Sequence, residues 1–232
     1  MRYEPRTKVK VSNHLRGLSP ILKTWTLLLD DYCRSSAYED NPWFYNERAT
    51  LSTLAGAAWR LSGWTALEEY ATSKWGGKPK AGGVESGSVR AGRCDLHVAH
   101  RSKAFAIEAK HAWQPIGQPA DPVGRMDAAI KAATRDARKL TIEEADWRLA
   151  AVFTTPFLPA TSVQDENGKV DAAQVSAKID EWLQCVRRRR HDAMAYYFTP
   201  RCSAMVSADG KRLFPGVVLT LNICKRARKS NS

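Results

Sequence analysis

Asp95 and the triplet Glu108-Ala109-Lys110 lie in a stretch, GRCDLHVAHRSKAFAIEAK, in which apolar and polar residues alternate. Cys94, Leu96 and Val98 recur at every second position before Arg101-Ser102, and Phe105, Ile107 and Ala109 do so after it, which predicts a β-hairpin. A hairpin turning symmetrically about Arg101-Ser102 sets Asp95 opposite Glu108, His97 opposite Ala106 and Arg93 opposite Lys110. Asp95, His97, Glu108 and Lys110 then share one face, while Cys94, Leu96, Val98, Phe105, Ile107 and Ala109 share the apolar one. Two carboxylates directly across a ladder repel each other, so a cation is expected between them. Mg²⁺, or Mn²⁺, suits the place: Mg²⁺ takes hard oxygen ligands, keeps several waters and is held by only one or two protein carboxylates. Such an ion lowers the pKa of an attacking water and offsets charge on a phosphodiester, and Lys110 can orient that water or contact the phosphate. The competing reading is a solvated strand surface on which Arg93 and Lys110 are ordinary cross-strand partners.

The elements that must position these groups follow from spacing. Ser19-Pro20 predicts a helix start, continued by Ile21, Leu22, Trp25, Leu28 and Leu29 to about Ser35, after a basic and loose beginning. A second helix is predicted from the turn at Glu39-Asp40-Asn41-Pro42 through Leu51, Leu54, Ala58 and Leu61 to about Trp75, with a break at Gly63. The Gly-, Lys- and Ser-rich residues 76–92 predict a loop with a short strand at Val84–Val89. Beyond the hairpin and a loop at Pro115–Pro122, a helix is expected over Val123–Leu140, a buried strand over Trp147–Thr155 and a helix over Asp171–Arg190. Strands follow at Ala193–Phe198 and Val217–Cys224. This alternation gives an α/β chain with one sheet covered by helices.

With 232 residues, 44% of them hydrophobic, the chain supports one well-buried domain. The division expected is a basic segment and helix over 1–42, the main domain over 43–224 and a basic disordered tail over 225–232. Lys and Arg outnumber Asp and Glu by 36 to 24, a net charge of +12 that favours a polyanionic partner, nucleic acid before others. Five widely spaced cysteines form no metal-binding cluster and fit free thiols in a reducing, cytoplasmic setting. No apolar run approaches the roughly 20 residues of a membrane span, so no membrane partner is expected.

The run GRCDLHVAHRSKAFAIEAK resembles the core of the PD-(D/E)xK nuclease superfamily, with its restriction-endonuclease-like fold. The resemblance implies a mixed β-sheet with an αβββαβ core flanked by helices, here with an extra N-terminal helix and C-terminal strands. It gives Asp95, Glu108 and Lys110 the catalytic roles and adds the main-chain carbonyl of Ala109 as a metal ligand. Cys94 stands where the family's proline would be, a variable position. Many members add a Glu from the helix before the sheet, and Glu47 matches it. Glu47 extends the stripe of Leu51, Leu54, Ala58 and Leu61, although an acid in a first helical turn also suits the helix dipole. The resemblance covers roughly residues 43–155.

Arg93 and His97 on the site face, Lys131 and Arg135 on the following helix, and Arg187, Arg188, Arg189 and Arg190 are the expected nucleic-acid contacts. The reading reached is a Mg²⁺-dependent DNA endonuclease of a restriction, phage or defence setting, acting as a homodimer or with a partner subunit. The alternatives are a catalytically silent nucleic-acid-binding protein on the same fold, or an RNase.

Overall fold

Helix α1 (Ser19–Ser35) forms where Ile21, Leu22, Trp25, Leu29 and Cys33 recur on one face, and all five are buried. It is entered from a 3-10 turn over Asn13–Leu18, so Ser19 is the first helical residue and not the cap. Helix α2 (Glu47–Trp59) is capped by Asn46, whose side chain accepts from the Ala49 amide at 2.9 Å. The Trp25 indole donates to Thr53 Oγ1 at 2.8 Å and joins the two helices. The computed structural model describes residues 4–75, 89–101, 103–117, 121–141, 145–202 and 205–226.

The strands are β1 (Arg6–Val11), β2 (Trp64–Trp75), β3 (Val89–His100), β4 (Lys103–Pro115), β5 (Trp147–Pro159), β6 (Ala193–Phe198), β7 (Arg212–Leu213) and β8 (Gly216–Arg226). They build a mixed, curled sheet in the order β1-β6-β8-β5-β4-β3-β2, with β7 paired to β5. β2, β3 and β4 form an antiparallel meander, and β5 lies parallel to β4 after the crossover helix α3 (Gly124–Ala137). α1 and α2 cover one face, where Trp25 packs against Phe153. Phe153 pairs with His111 in the parallel ladder, so this is also the face of Ile107 and Ala109. α3 covers the other face, that of Glu108 and Lys110. Helix α4 (Ala172–Arg187) is tied to the start of α3, since Trp182 donates to the Pro122 carbonyl and Arg189 pairs with Asp127.

Several expectations are corrected. The second helix ends at Trp59, and residues 64–75, expected as its continuation, are strand β2. Gly63, at φ 77°, turns the chain there, and Trp64 and Ala66 then alternate with the exposed Thr65 and Leu67. The loose N-terminal start contains β1, which pairs with β6 at the sheet edge, and Leu15 and Leu18 join the common core. Finally, Cys94 does not share the face of Leu96. It packs with Ala106, Leu140 and Ala145 on the α3 side. Glu69 opposite Asp95 adopts a left-handed backbone (φ 51°), the two are not paired, and strict alternation fails at that point.

The strand expected at Val84–Val89 lies, except for Val89, outside the described residues, as do Ser102, residues 118–120 and residues 227–232 of the tail. β5 runs past Thr155-Pro156, where it was expected to stop, because a parallel partner continues through Gln114 and Pro115. All five cysteines are free. Among the described residues no helix is long and apolar enough to cross a membrane.

Candidate functional site

The β3–β4 ladder keeps the symmetric register from His100↔Lys103 to Leu96↔Ile107 and then stops, one step before Asp95 and Glu108. Beyond it the strands part. Alternate residues of a strand turn their N–H and C=O groups to the same edge, so Ala109 and His111 both present theirs to the gap. Unpaired, these amides would be costly. Two carboxylates take them: Asp95 Oδ2 accepts from the Ala109 amide at 2.7 Å, and Glu47 Oε2, from the first residue of α2, accepts from the His111 amide at 3.1 Å. The Lys110 ammonium folds back to donate to the Ala109 carbonyl at 2.8 Å. Asp95, Glu47, Lys110 and the Ala109 carbonyl thus meet where β3 leaves β4. Burial raises the Glu47 carboxyl above its ordinary range; the charge of Lys110 opposes this and that of Asp95 adds to it.

Glu108 is the most buried member, with 3% of its surface exposed. The Lys74 ammonium of β2 stands 2.7 Å from Oε1, a close ion pair that is the charge partner of this buried carboxylate. Burial pushes the Glu108 carboxyl up; Lys74 works against that shift, and the Asp95 charge adds to it. Lys74 is held in place by main chain: the Trp75 amide donates to the Lys139 carbonyl at 2.7 Å and the Thr141 amide to the Ser73 carbonyl at 3.0 Å. Gly92 on β3 leaves room for the lysine stem, because a Cβ there would come 2.9 Å from Lys74 Cγ.

The outer side of Lys110 faces Asp136 on α3 at 3.6 Å. Burial opposes the charged form of Asp136, but the Lys139 hydrogen bond and the charges of Lys139, Lys110 and Arg135 outweigh it and hold its carboxyl below the ordinary range. α3 is fixed to β4 by Gln114, which is fully buried and whose Oε1 accepts from the Arg125 and Met126 amides, capping the helix from the strand. The His111 ring lies 2.9 Å from Thr155 Oγ1. The single hydroxyl proton of Thr155 goes to the Trp43 carbonyl, so Nε2 of His111 is the donor. Burial lowers its pKa to about 4.

Asp95, Lys110 and Glu47 therefore meet about the main chain of residues 109–111, and the charges of Asp95 and Lys110 reach Glu108, although Asp95 and Glu108 are not a ladder pair. Hard oxygen donors suit a divalent cation such as Mg²⁺, and the Glu108 and Asp95 carboxylates and the Ala109 carbonyl are of that chemistry. Among the described residues no three His, Cys, Asp or Glu side chains form a ready-made cage.

The other expected contacts are spread out. Arg93 is exposed and lies 3.7 Å from Glu69, and the His97 ring stacks on Tyr70 at 4.5 Å. Lys131 and Arg135 project from α3 to solvent. At the end of α4, Arg187 donates to the Tyr196 hydroxyl and Arg189 pairs with Asp127, while Arg188 and Arg190 are exposed. Lys74 and Asp136 were not anticipated. Lys74 was hidden by the reading of residues 64–75 as helix; the alternation after Gly63 was the signal that could have exposed it. The chain matches no family model, no curated protein and no solved structure.

Proposed function

We propose that this chain is a divalent-metal-dependent nuclease hydrolysing phosphodiester bonds, with Asp95, Glu108 and the Ala109 carbonyl as ligands of Mg²⁺ or Mn²⁺. The observation that carries the reading is Glu108: a buried carboxylate held against the Lys74 ammonium, beside a strand separation that gathers Asp95, Glu47 and Lys110. Folding alone gives no reason to bury such a group. Further support comes from the order α2-β2-β3-β4-α3-β5, a helix, a meander, a helix and a parallel strand, which agrees with the αβββαβ arrangement of the resembled superfamily.

The bound metal would supply Lewis acidity toward a phosphoryl oxygen and an activated water. Asp95 is oriented for its part by the Ala109 amide, and Glu47 holds its place through the His111 amide. Lys110, resting on the Ala109 carbonyl and near Asp136, is the cation placed to contact a scissile phosphate. DNA is the substrate of first choice, in a restriction, phage or defence setting, with a second copy or partner subunit for double-strand cleavage.

One observation favours the catalytically silent alternative. Lys74 and Lys110 already stand on Glu108 and the Ala109 carbonyl, so the acids have cations without metal. Digestion of linear, supercoiled and single-stranded DNA and of RNA, with Mg²⁺, Mn²⁺ or EDTA, separates the readings. Metal-dependent cleavage, lost in Glu108→Ala and Lys110→Ala, is expected; an RNA-only product would make it an RNase. Activity that persists in EDTA, or is undiminished in Glu108→Ala, defeats the proposed site.

A further inference from the structure

Beside this site, the end of β2 and the outer side of α3 enclose an open pocket walled by the Trp75 indole and rimmed by Lys131, Arg135, Arg138 and Lys139. Trp75 is 47% exposed, whereas Trp25 and Trp43 are fully buried. Its main-chain bond to the Lys139 carbonyl fastens the indole to the cationic helix. Arg135 and Lys139 lean on Asp136, at 3.7 and 3.1 Å. Lys131 and Arg138 have no acidic partner among the described residues. Among the described residues lining the pocket, four are cations and none is an acid, a positive wall that suits a polyanion.

A flat aromatic set among cations, two of them without an acidic partner among the described residues, matches a nucleobase joined to its phosphates. A duplex offers phosphates to such a row but keeps its bases stacked inside, which would leave the indole idle. The surroundings place the pocket on the way to the site: Lys74, adjacent to Trp75, holds Glu108, and Asp136, adjacent to Arg135, faces Lys110.

We propose that this pocket binds an unpaired segment of a nucleic-acid strand, with a base on Trp75 and phosphates along Lys131, Arg135 and Arg138, delivering a strand with a single-stranded part to the neighbouring site. The choice of polymer rests on the nuclease reading; the binding itself needs no metal and is tested without one. The full chain in EDTA is titrated against labelled single-stranded DNA, single-stranded RNA and blunt duplex DNA of one sequence, following anisotropy at several salt concentrations.

Trp75→Ala is expected to weaken single-strand binding by about fivefold to a hundredfold, the value of one lost base stack, with duplex binding little changed. Trp75→Phe should restore most of the loss. Arg138→Ala should weaken every strand and reduce the salt slope by about one. Unchanged melting of each variant excludes misfolding as the cause. The proposal fails if Trp75→Ala leaves single-strand binding intact, if it weakens duplex binding equally, if Phe gives no rescue, or if the parent binds no nucleic acid. Binding with these signatures but no cleavage under any metal would keep this pocket and overturn the nuclease reading. Metal-dependent cleavage with no effect of Trp75→Ala on binding would do the reverse.

Discussion

Lys74→Met should destabilise the metal-free protein through Glu108. The two side chains are 26% and 4% exposed, and nitrogen and oxygen are 2.7 Å apart. Removing one partner of a fully buried pair strands a charge and costs about 3–5 kcal/mol. Water reaches the Lys74 ammonium and screens part of its attraction, so about 1–3 kcal/mol is expected at neutral pH. Methionine keeps the length and apolar stem of the lysine, which limits the packing change. Urea unfolding of the parent, Lys74→Met, Glu108→Gln and the double variant in EDTA isolates the pair, with a coupling of about 1–3 kcal/mol expected. The pH dependence carries a sign. The folded Glu108 carboxyl lies above its ordinary range, so the folded state binds its proton more tightly and loses stability as pH rises through that interval. Without Lys74 the interval extends upward, so the deficit of Lys74→Met should be small in acid and grow toward neutral pH. Mg²⁺ should return more stability to Lys74→Met than to the parent, since it would replace the missing cation. Single-variant effects that add to within about 0.5 kcal/mol would refute the argued contact.

Two further outcomes are expected. His111 is neutral in the fold, with its pKa lowered from 6.5 to about 4, so the unfolded chain takes up the proton first; stability should fall as pH drops through that range, by on the order of 2 kcal/mol. His111→Gln, which can still donate to Thr155, should remove that slope when urea midpoints are followed across pH. Asp95→Asn keeps an oxygen to accept from the Ala109 amide and should lower stability by less than about 1 kcal/mol in thermal melts. The same variant should lose metal-dependent cleavage and show weakened Mn²⁺ binding; cleavage at the parent rate would remove Asp95 from the ligand set.

Periodicity carried much of this fold. The hairpin register about residues 101–102, the helix at 19–35 and the strand at 193–198 are spacing effects that need no tertiary information. The failure at residues 64–75 has a physical cause: β2 is an edge strand with a polar outer half, and Glu68, Glu69 and Lys74 continue a helical spacing as readily as an alternating one. β1 was missed for the related reason that an edge strand rich in Lys and Arg buries little. In the site, Glu108 and Lys110 follow strand alternation, whereas Asp95 reaches them by accepting from the Ala109 amide beyond the end of the ladder, which the symmetric register did not foresee. Glu47 came from the superfamily resemblance, and its place on the apolar stripe was consistent with that. The Lys74–Glu108 contact depends on how far the chain travels through β2 and on the clamp from residues 139–141, which no local pattern encodes.

The acids at the strand separation are not equivalent evidence for chemistry. Asp95 and Glu47 cap amides that β3 abandons, so the fold itself uses them, and their presence is explained even in a protein that binds no metal. Glu108 caps nothing. It is buried at a cost that its ion pair with Lys74 offsets only in part, and an apolar residue of similar size would serve that position better if stability were the only requirement. A local choice that opposes folding is where a functional position is to be sought. The functional reading therefore stands more on this one buried carboxylate than on the short motif that contains it, and on whether a divalent cation displaces the lysine that now stands beside it.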